Sequence, residues 1–112
     1  MTNFEGLANE TAANNNDTLN RIAALLNMHT GYQIIIEGHS NATAGIMNAQ
    51  EEFRLRMLSE QRALTVLEEL VRLSVSYSRM TIRGAGFSRM IVPYNDIDNI
   101  WINRRVEFIL VK

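Results

Sequence analysis

The sequence predicts an α+β domain, a two-layer α/β sandwich in the order (β)αβαβ-loop-β. Three observations lead there. Tyr32 to Glu37 contains three consecutive isoleucines, and β-branched residues in an unbroken apolar run suit a strand covered on both faces. Ala63, Val66, Leu67, Leu70 and Val71 recur at helical spacing, with Glu60, Glu68, Glu69 and Arg72 on the opposite side. Arg105 to Val111 is apolar on both faces, as expected of a strand inside a sheet.

The elements follow in order. Phe4 and Leu7 lie in a polar, Asn- and Ala-rich segment and mark a short or clipped edge strand within residues 1–15. Asn14-Asn15-Asn16-Asp17 reads as a turn that supplies an N-cap, because Asx side chains accept hydrogen bonds from free helix N–H groups. Leu19, Ile22, Ala23, Leu25 and Leu26 then predict a helix over 17–29, stopped by a left-handed Gly31. After the isoleucine strand, Gly38 to Glu52 reads as a loop, or a loop leading into a helix, with Glu51, Glu52, Arg54 and Arg56 as an extra helical turn ahead of the next helix. The second helix is expected over 59–73, with Ser59 as N-cap and Leu58 just outside it. Arg79 to Arg83 alternates as a strand does, and Gly84-Ala85-Gly86 ends it. Residues 87–103 are irregular, with Pro93 and Asn95 as turn formers and Trp101 as an anchor.

Composition narrows the function. The chain has 112 residues, enough for one domain, and 46% of them are hydrophobic, enough for one core. A net charge of -1 argues against a general nucleic-acid or membrane-surface binder. There is no cysteine, which removes disulfides and thiol chemistry. No apolar run reaches the ~20 residues of a membrane span, so no membrane insertion by this domain is expected. Met1 to Phe4 lacks the features of a signal peptide; the chain reads as a soluble piece of a longer exported protein.

Candidate chemistry gathers after the first strand. Gly38-His39-Ser40-Asn41 closes an apolar run, and Arg62 falls in the first turn of a helix that starts at Ser59. Ligands of α/β sheets sit beyond strand carboxyl ends, near helix N-termini. A cation in the first turn opposes the helix dipole at a cost of up to ~1 kcal/mol, and an anion site formed by N–H groups and a guanidinium fork would offset it. The competing explanation is an arginine paired with Glu37, Glu60 or a loop carboxylate. Two distant histidines, His29 and His39, argue against a zinc site, which needs three or four ligands; His39 is expected to bond backbone at the strand end. Ser40, His39 and Asp96 lack a nucleophile elbow. Gly84-Ala85-Gly86 fails as a dinucleotide fingerprint because Arg89 stands where a glycine is needed. No acid/base pair or nucleophile constellation marks an enzyme.

Four ordered motifs resemble one family. They are Ile34 to Asn41, Leu58-Ser59-Glu60-Gln61-Arg62-Ala63, Arg79 to Gly86, and Asn103-Arg104-Arg105-Val106-Glu107-Phe108. Together, over residues ~15–112, they look like the OmpA-like C-terminal domain family, whose pattern is roughly I-x-I-x-G-H-T-D, L-S-x-x-R-A, a strand with G-x-G, and N-R-R-V-E. The resemblance implies a mixed four-stranded sheet with two main helices on one face and the last strand, antiparallel, between the others. It implies residence in the bacterial periplasm, in an outer-membrane protein or lipoprotein, and non-covalent binding of peptidoglycan. In the family an Asp and an Arg grip the zwitterionic end of the diaminopimelate side chain; Arg62 matches that Arg, and Asn41 stands at the Asp position. The amide forfeits a charge-assisted hydrogen bond of roughly 1.5–3 kcal/mol. The loop between Asn41 and Arg62 is about six residues longer than is usual in the family.

The reading is therefore a single cell-envelope domain, 1–112, that anchors its parent protein to the wall. Asn41, Arg62, Ser40 and Arg105 are the candidate ligand-binding residues. No catalytic residue, metal ligand or cofactor is expected. Peptidoglycan is the expected partner, with other envelope proteins as the alternative if the domain kept its scaffold and lost the ligand; nucleic acid is not expected.

Overall fold

A computed structural model describes the backbone of residues 9–112 and the side chains from Asp17 onward. Its order is α1 (Asn9–Met28), β1 (Gln33–Gly38), α2 (Ala49–Arg72), β2 (Met80–Gly84) and β3 (Val106–Val111). The mixed α+β layering is the predicted one. β1 lies centrally in the order β2-β1-β3. It pairs parallel with β2, Ile36 opposite Ile82, and antiparallel with β3, Ile36 opposite Phe108. The sheet thus has three strands among the described residues. The fourth, expected around Phe4 and Leu7, lies outside the described residues, and with it the expected position of β3 between two strands.

Both helices start earlier than the sequence suggested. α1 begins at Asn9 and runs through Asn14-Asn15-Asn16, so those residues form no turn. Asn is only a few tenths of a kcal/mol worse than average helix formers, and the adjacent Glu10, Ala12 and Ala13 are good ones. α2 begins at Ala49, capped by Asn48, whose side chain accepts from the Glu51 N–H at 2.7 Å. Asn48-x-x-Glu51 is itself the sequence pattern of a capping box. Ser59 lies in mid-helix, fully buried, and is not a cap.

The end of α1 also differs. Gly86, not Gly31, is the glycine with positive φ among the described residues, at 58°. The carbonyls at the end of α1 are instead taken by Arg79. Its guanidinium donates to Leu26 O at 2.6 Å, His29 O at 2.8 Å and Tyr32 O at 2.7 Å. A helix end leaves carbonyls unsatisfied and carries partial negative charge, so a cation with several donors suits it.

The core forms where both helices cover one sheet face. Leu19, Ala23 and Leu26 of α1 meet Ala63, Val66, Leu67 and Leu70 of α2 over Ile34, Ile36, Met80 and Val106. α2 approaches the sheet closely at one point. A Cβ on Gly38 would lie 1.8 Å from the Ser59 carbonyl oxygen, and one on Gly84 would lie 2.6 Å from that of Arg56. Only glycines at the ends of β1 and β2 permit that contact.

Candidate ligand site at the exit of the first strand

The contact just described fixes the chain leaving β1. Ser59 Oγ donates to Arg56 O at 2.7 Å and accepts from the Gly86 N–H at 2.9 Å. The loop after β2 is thereby tied to α2. That loop in turn holds the β1 exit: Ala85 N–H donates to Gly38 O at 2.9 Å, and Ser40 N–H donates to Gly86 O at 2.8 Å. On the other side, His39 N–H donates to Arg105 O at 2.8 Å.

Arg62 follows Ser59 by three residues, so it rises from the same face of α2. It is 8% exposed and donates to His39 O at 2.6 Å. Burial, aided by the nearby Arg104 guanidinium, pushes its pKa down to about 10. The expected place for Arg62 in the first turn does not hold. The N–H groups that α2 leaves free at its start lie near Glu51 and Glu52, so no dipole-assisted anion site forms around Arg62.

Asn41 is committed within the protein. Its Nδ2 donates to Ala42 O at 2.9 Å and Tyr94 O at 3.0 Å, and its Oδ1 accepts from Asn103 Nδ2 at 2.8 Å. Asn103 is fully buried and its Oδ1 accepts from the N–H groups of Ile91 and Val92 at 2.7 and 3.0 Å. A clasp of two amides therefore closes the 87–103 loop onto the β1 exit. Trp101, the expected anchor, is 58% exposed; Asn103 is the buried one. Only its place in the Asn103-Arg104-Arg105 motif could have signalled it.

Ser40 is buried, with Oγ 3.5 Å from Leu55 O. Arg105 is buried as well. It donates from Nε to Glu107 Oε2 at 2.7 Å and from Nη2 to Arg89 O at 2.9 Å. The structure thus gathers all four predicted residues at the exit of β1, where each braces backbone or a neighbouring side chain. A hollow of about 190 Å³ lies between α2 and the Gly86 turn, against Glu52, Arg56 and Phe87.

Sequence reasoning missed a charged cluster on the other sheet face. Strand register sets Glu37 directly between Arg83 and Glu107. Glu37 is buried and meets Arg83 at 2.6 Å and Arg89 at 3.3 Å. Burial would raise its carboxyl pKa, but the hydrogen bond from Arg83 and the charges of His39, Arg83 and Arg89 outweigh it and hold it below the usual range. His39, 1% exposed, lies beside both carboxylates. Burial and then Arg105 push its pKa down, against the pull of Glu107 and Glu37.

Comparison with known proteins agrees with this architecture. A sequence model of the OmpA family matches residues 7–104. The peptidoglycan-associated lipoprotein of Burkholderia pseudomallei superposes with a TM-score of 0.80 at 18% identity, over 98% of this chain and 88% of that one. The C-terminal domain of Helicobacter pylori MotB gives 0.75 at 18% identity, over 100% and 81%. The OmpA-like domain of FopA1 from Francisella tularensis gives 0.75 at 16% identity, over 98% and 70%. A search of curated proteins found no match. No helix among the described residues is long and apolar enough to cross a membrane.

Proposed function

The chain belongs to the OmpA family, and from that premise we propose that it is a non-enzymatic module binding peptide stems of peptidoglycan. In this reading it sits in the periplasm and anchors an outer-membrane protein or lipoprotein to the wall without a covalent bond. The likeness to a lipoprotein named for its association with peptidoglycan supports it. One observation in this chain carries the reading. Burial and then the charge of Arg104 disfavour the charge of Arg62 at the β1 exit. A carboxylate of a stem peptide would relieve that repulsion and accept from both forks.

Sedimentation with purified sacculi tests it. The parent protein is expected to pellet with sacculi at low salt. Arg104→Ala, at a half-buried site, is expected to weaken retention without changing the melting temperature. Arg62→Ala should also weaken it, with melting measured alongside because Arg62 braces His39 O. Absence of retention at low salt overturns the reading.

A second reading has its own observation. Both amide hydrogens of Asn41 are engaged by Ala42 O and Tyr94 O, so this position offers no charge and no spare donor to a ligand. A domain that kept the scaffold and lost the wall ligand would look like this, and would serve in contacts with other envelope proteins. The same sedimentation decides between the two.

A further inference from the structure

The charged cluster on the sheet face away from the helices holds more guanidinium than carboxylate. Arg83 and Arg89 share Glu37, and Arg105 holds Glu107. His39 meets both carboxylates, at 2.8 and 3.1 Å, but burial and then Arg105 favour its neutral ring. Three permanent cations therefore face two anions. Charges taken out of water are ordinarily balanced, and this surplus stands out on a chain whose net charge is -1.

Donors are in surplus too. A guanidinium has several N–H donors in a fixed fork. Arg83 uses its Nε on Glu37 Oε2 at 2.6 Å, which leaves its terminal Nη fork open. Arg89 reaches Glu37 Oε1 only at 3.3 Å, through Nη1. These two side chains are 48% and 65% exposed. Behind them Arg105 is buried and leaves Nη1 without a hydrogen-bond partner. Both exposed guanidiniums are positioned in advance. Strand register sets Arg83 beside Glu37, and Arg105 Nη2 holds the Arg89 carbonyl at 2.9 Å. Because Arg83 and Arg89 share one carboxylate, one small group in front of Glu37 can reach both.

We propose that Arg83 and Arg89, backed by Arg105, bind a phosphate group in its dianionic form, free or as a terminal monoester. Guanidinium forks recognise carboxylate and phosphate alike, and the layout here selects between them. Two open forks on different elements suit an acceptor with oxygens in several directions and more than one charge. A phosphate monoester offers three such oxygens and close to two charges at neutral pH; a carboxylate offers two oxygens in one plane and one charge. Glu37 and Glu107 repel any anion, so binding is weak and falls with salt. The site is distinct from the edge formed by Arg62 and Arg104 and does not rest on the wall reading. Arg83 and Arg89 lie 46 and 52 positions from Glu37, so no local pattern joined them in the sequence.

The test uses the whole chain at neutral pH and low salt, with the Nε–H signals of Arg83 and Arg89 followed by two-dimensional NMR. Inorganic phosphate and glycerol 1-phosphate are both expected to shift these signals saturably at millimolar concentration. Tighter binding of the ester assigns the ligand to an esterified phosphate, and tighter binding of the ion to free phosphate. Acetate should bind at least about tenfold more weakly than either. Arg83→Gln and Arg89→Gln should each weaken phosphate about three- to fivefold, the scale of an exposed ion pair. Glu107→Gln should act the other way and tighten it, because it removes a repelling charge; arginines with a purely structural role would show no such gain. Arg54→Gln removes an exposed arginine of α2 and should change nothing. If Arg83→Gln fails to fold, Arg89→Gln at its more exposed position decides. The proposal is overturned by no saturation up to about 50 mM phosphate, by acetate binding as tightly as phosphate, by binding unchanged in Arg89→Gln or not tightened in Glu107→Gln, or by binding lost in Arg54→Gln.

Discussion

Asn41→Asp separates a structural amide from a ligand-binding one. The substitution keeps size and shape and changes two hydrogens into lone pairs. The Asp would still accept from Asn103 Nδ2, now as a charged acceptor at the 2.8 Å contact. It would lose the donors to Ala42 O and Tyr94 O, at 2.9 and 3.0 Å, and would set a carboxylate against two carbonyl oxygens. Each lost bond is worth about 0.5–1.5 kcal/mol net, and the stronger bond from Asn103 offsets part of it. The expected cost is about 1–3 kcal/mol, or a fall in melting temperature of roughly 5–15 °C for a domain of this size. Thermal melts followed by circular dichroism at pH 7 read it directly. At acid pH the deficit should shrink, because a protonated carboxyl regains one donor. A double-mutant cycle with Asn103→Ala should give a coupling of at least ~0.5 kcal/mol. An unchanged or raised melting temperature at neutral pH would refute the clasp. It would mean that position 41 tolerates a charge, as a residue facing a ligand does.

The close approach of α2 to the strand ends makes Gly38→Ala severe: with a Cβ 1.8 Å from Ser59 O, a loss above ~3 kcal/mol is expected, and a urea midpoint near the parent's would contradict the contact. Ser59→Ala leaves the buried Gly86 N–H without its acceptor; about 1–3 kcal/mol should be lost, and Ser59→Gly would lose more because glycine also weakens the helix. Stability should fall on acidification. His39 has a folded pKa below its ordinary 6.5, so its contribution is full above pH 6.5 and is lost as pH falls through the folded value. Glu37 sits below its ordinary 4.5 and adds a second loss below that pH. Melts from pH 8 to 4 should slope downward with acid, more gently in His39→Gln; a flat profile would mean that neither group differs between the folded and unfolded chain.

The layering was legible because it depends on periodicity. Three isoleucines and a helical stripe needed only the rules of burial, and Ile34 and Ile36 lie under the two helices; the last strand, read as covered on both faces, leaves Leu110 and Val111 exposed among the described residues. The helix starts were not legible in the same way, because two caps competed for α2. Ser59 follows a hydrophobic residue and precedes the apolar stripe, so it resembled the stronger start. Its small side chain serves another purpose: it lets α2 touch Gly38 and accepts the Gly86 N–H. The true start carried its own pattern in Asn48 and Glu51, inside a stretch whose exposed Phe53 and Met57 blur the amphipathic signal.

The site was legible as a place and not as a set of partners. Sequence order put Ser40 and Asn41 after β1 and Arg62 and Arg105 near it, and the structure agrees on the neighbourhood. Asn41 bonds to residues more than 50 positions away, Tyr94 and Asn103, and Arg62 bonds to His39, 23 positions away; no local rule reaches that far. The consequence is physical. The residues that would meet a ligand here also hold the backbone that presents them, since the Arg62 guanidinium donates to His39 O and that of Arg105 to Arg89 O. Removing either side chain therefore changes the shape of the edge as well as its charge. Loss of wall retention in Arg62→Ala cannot by itself be assigned to a lost ligand contact. Retention lost in Arg104→Ala, with the melting temperature unchanged, can be, because Arg104 adds charge to this edge through a half-buried side chain.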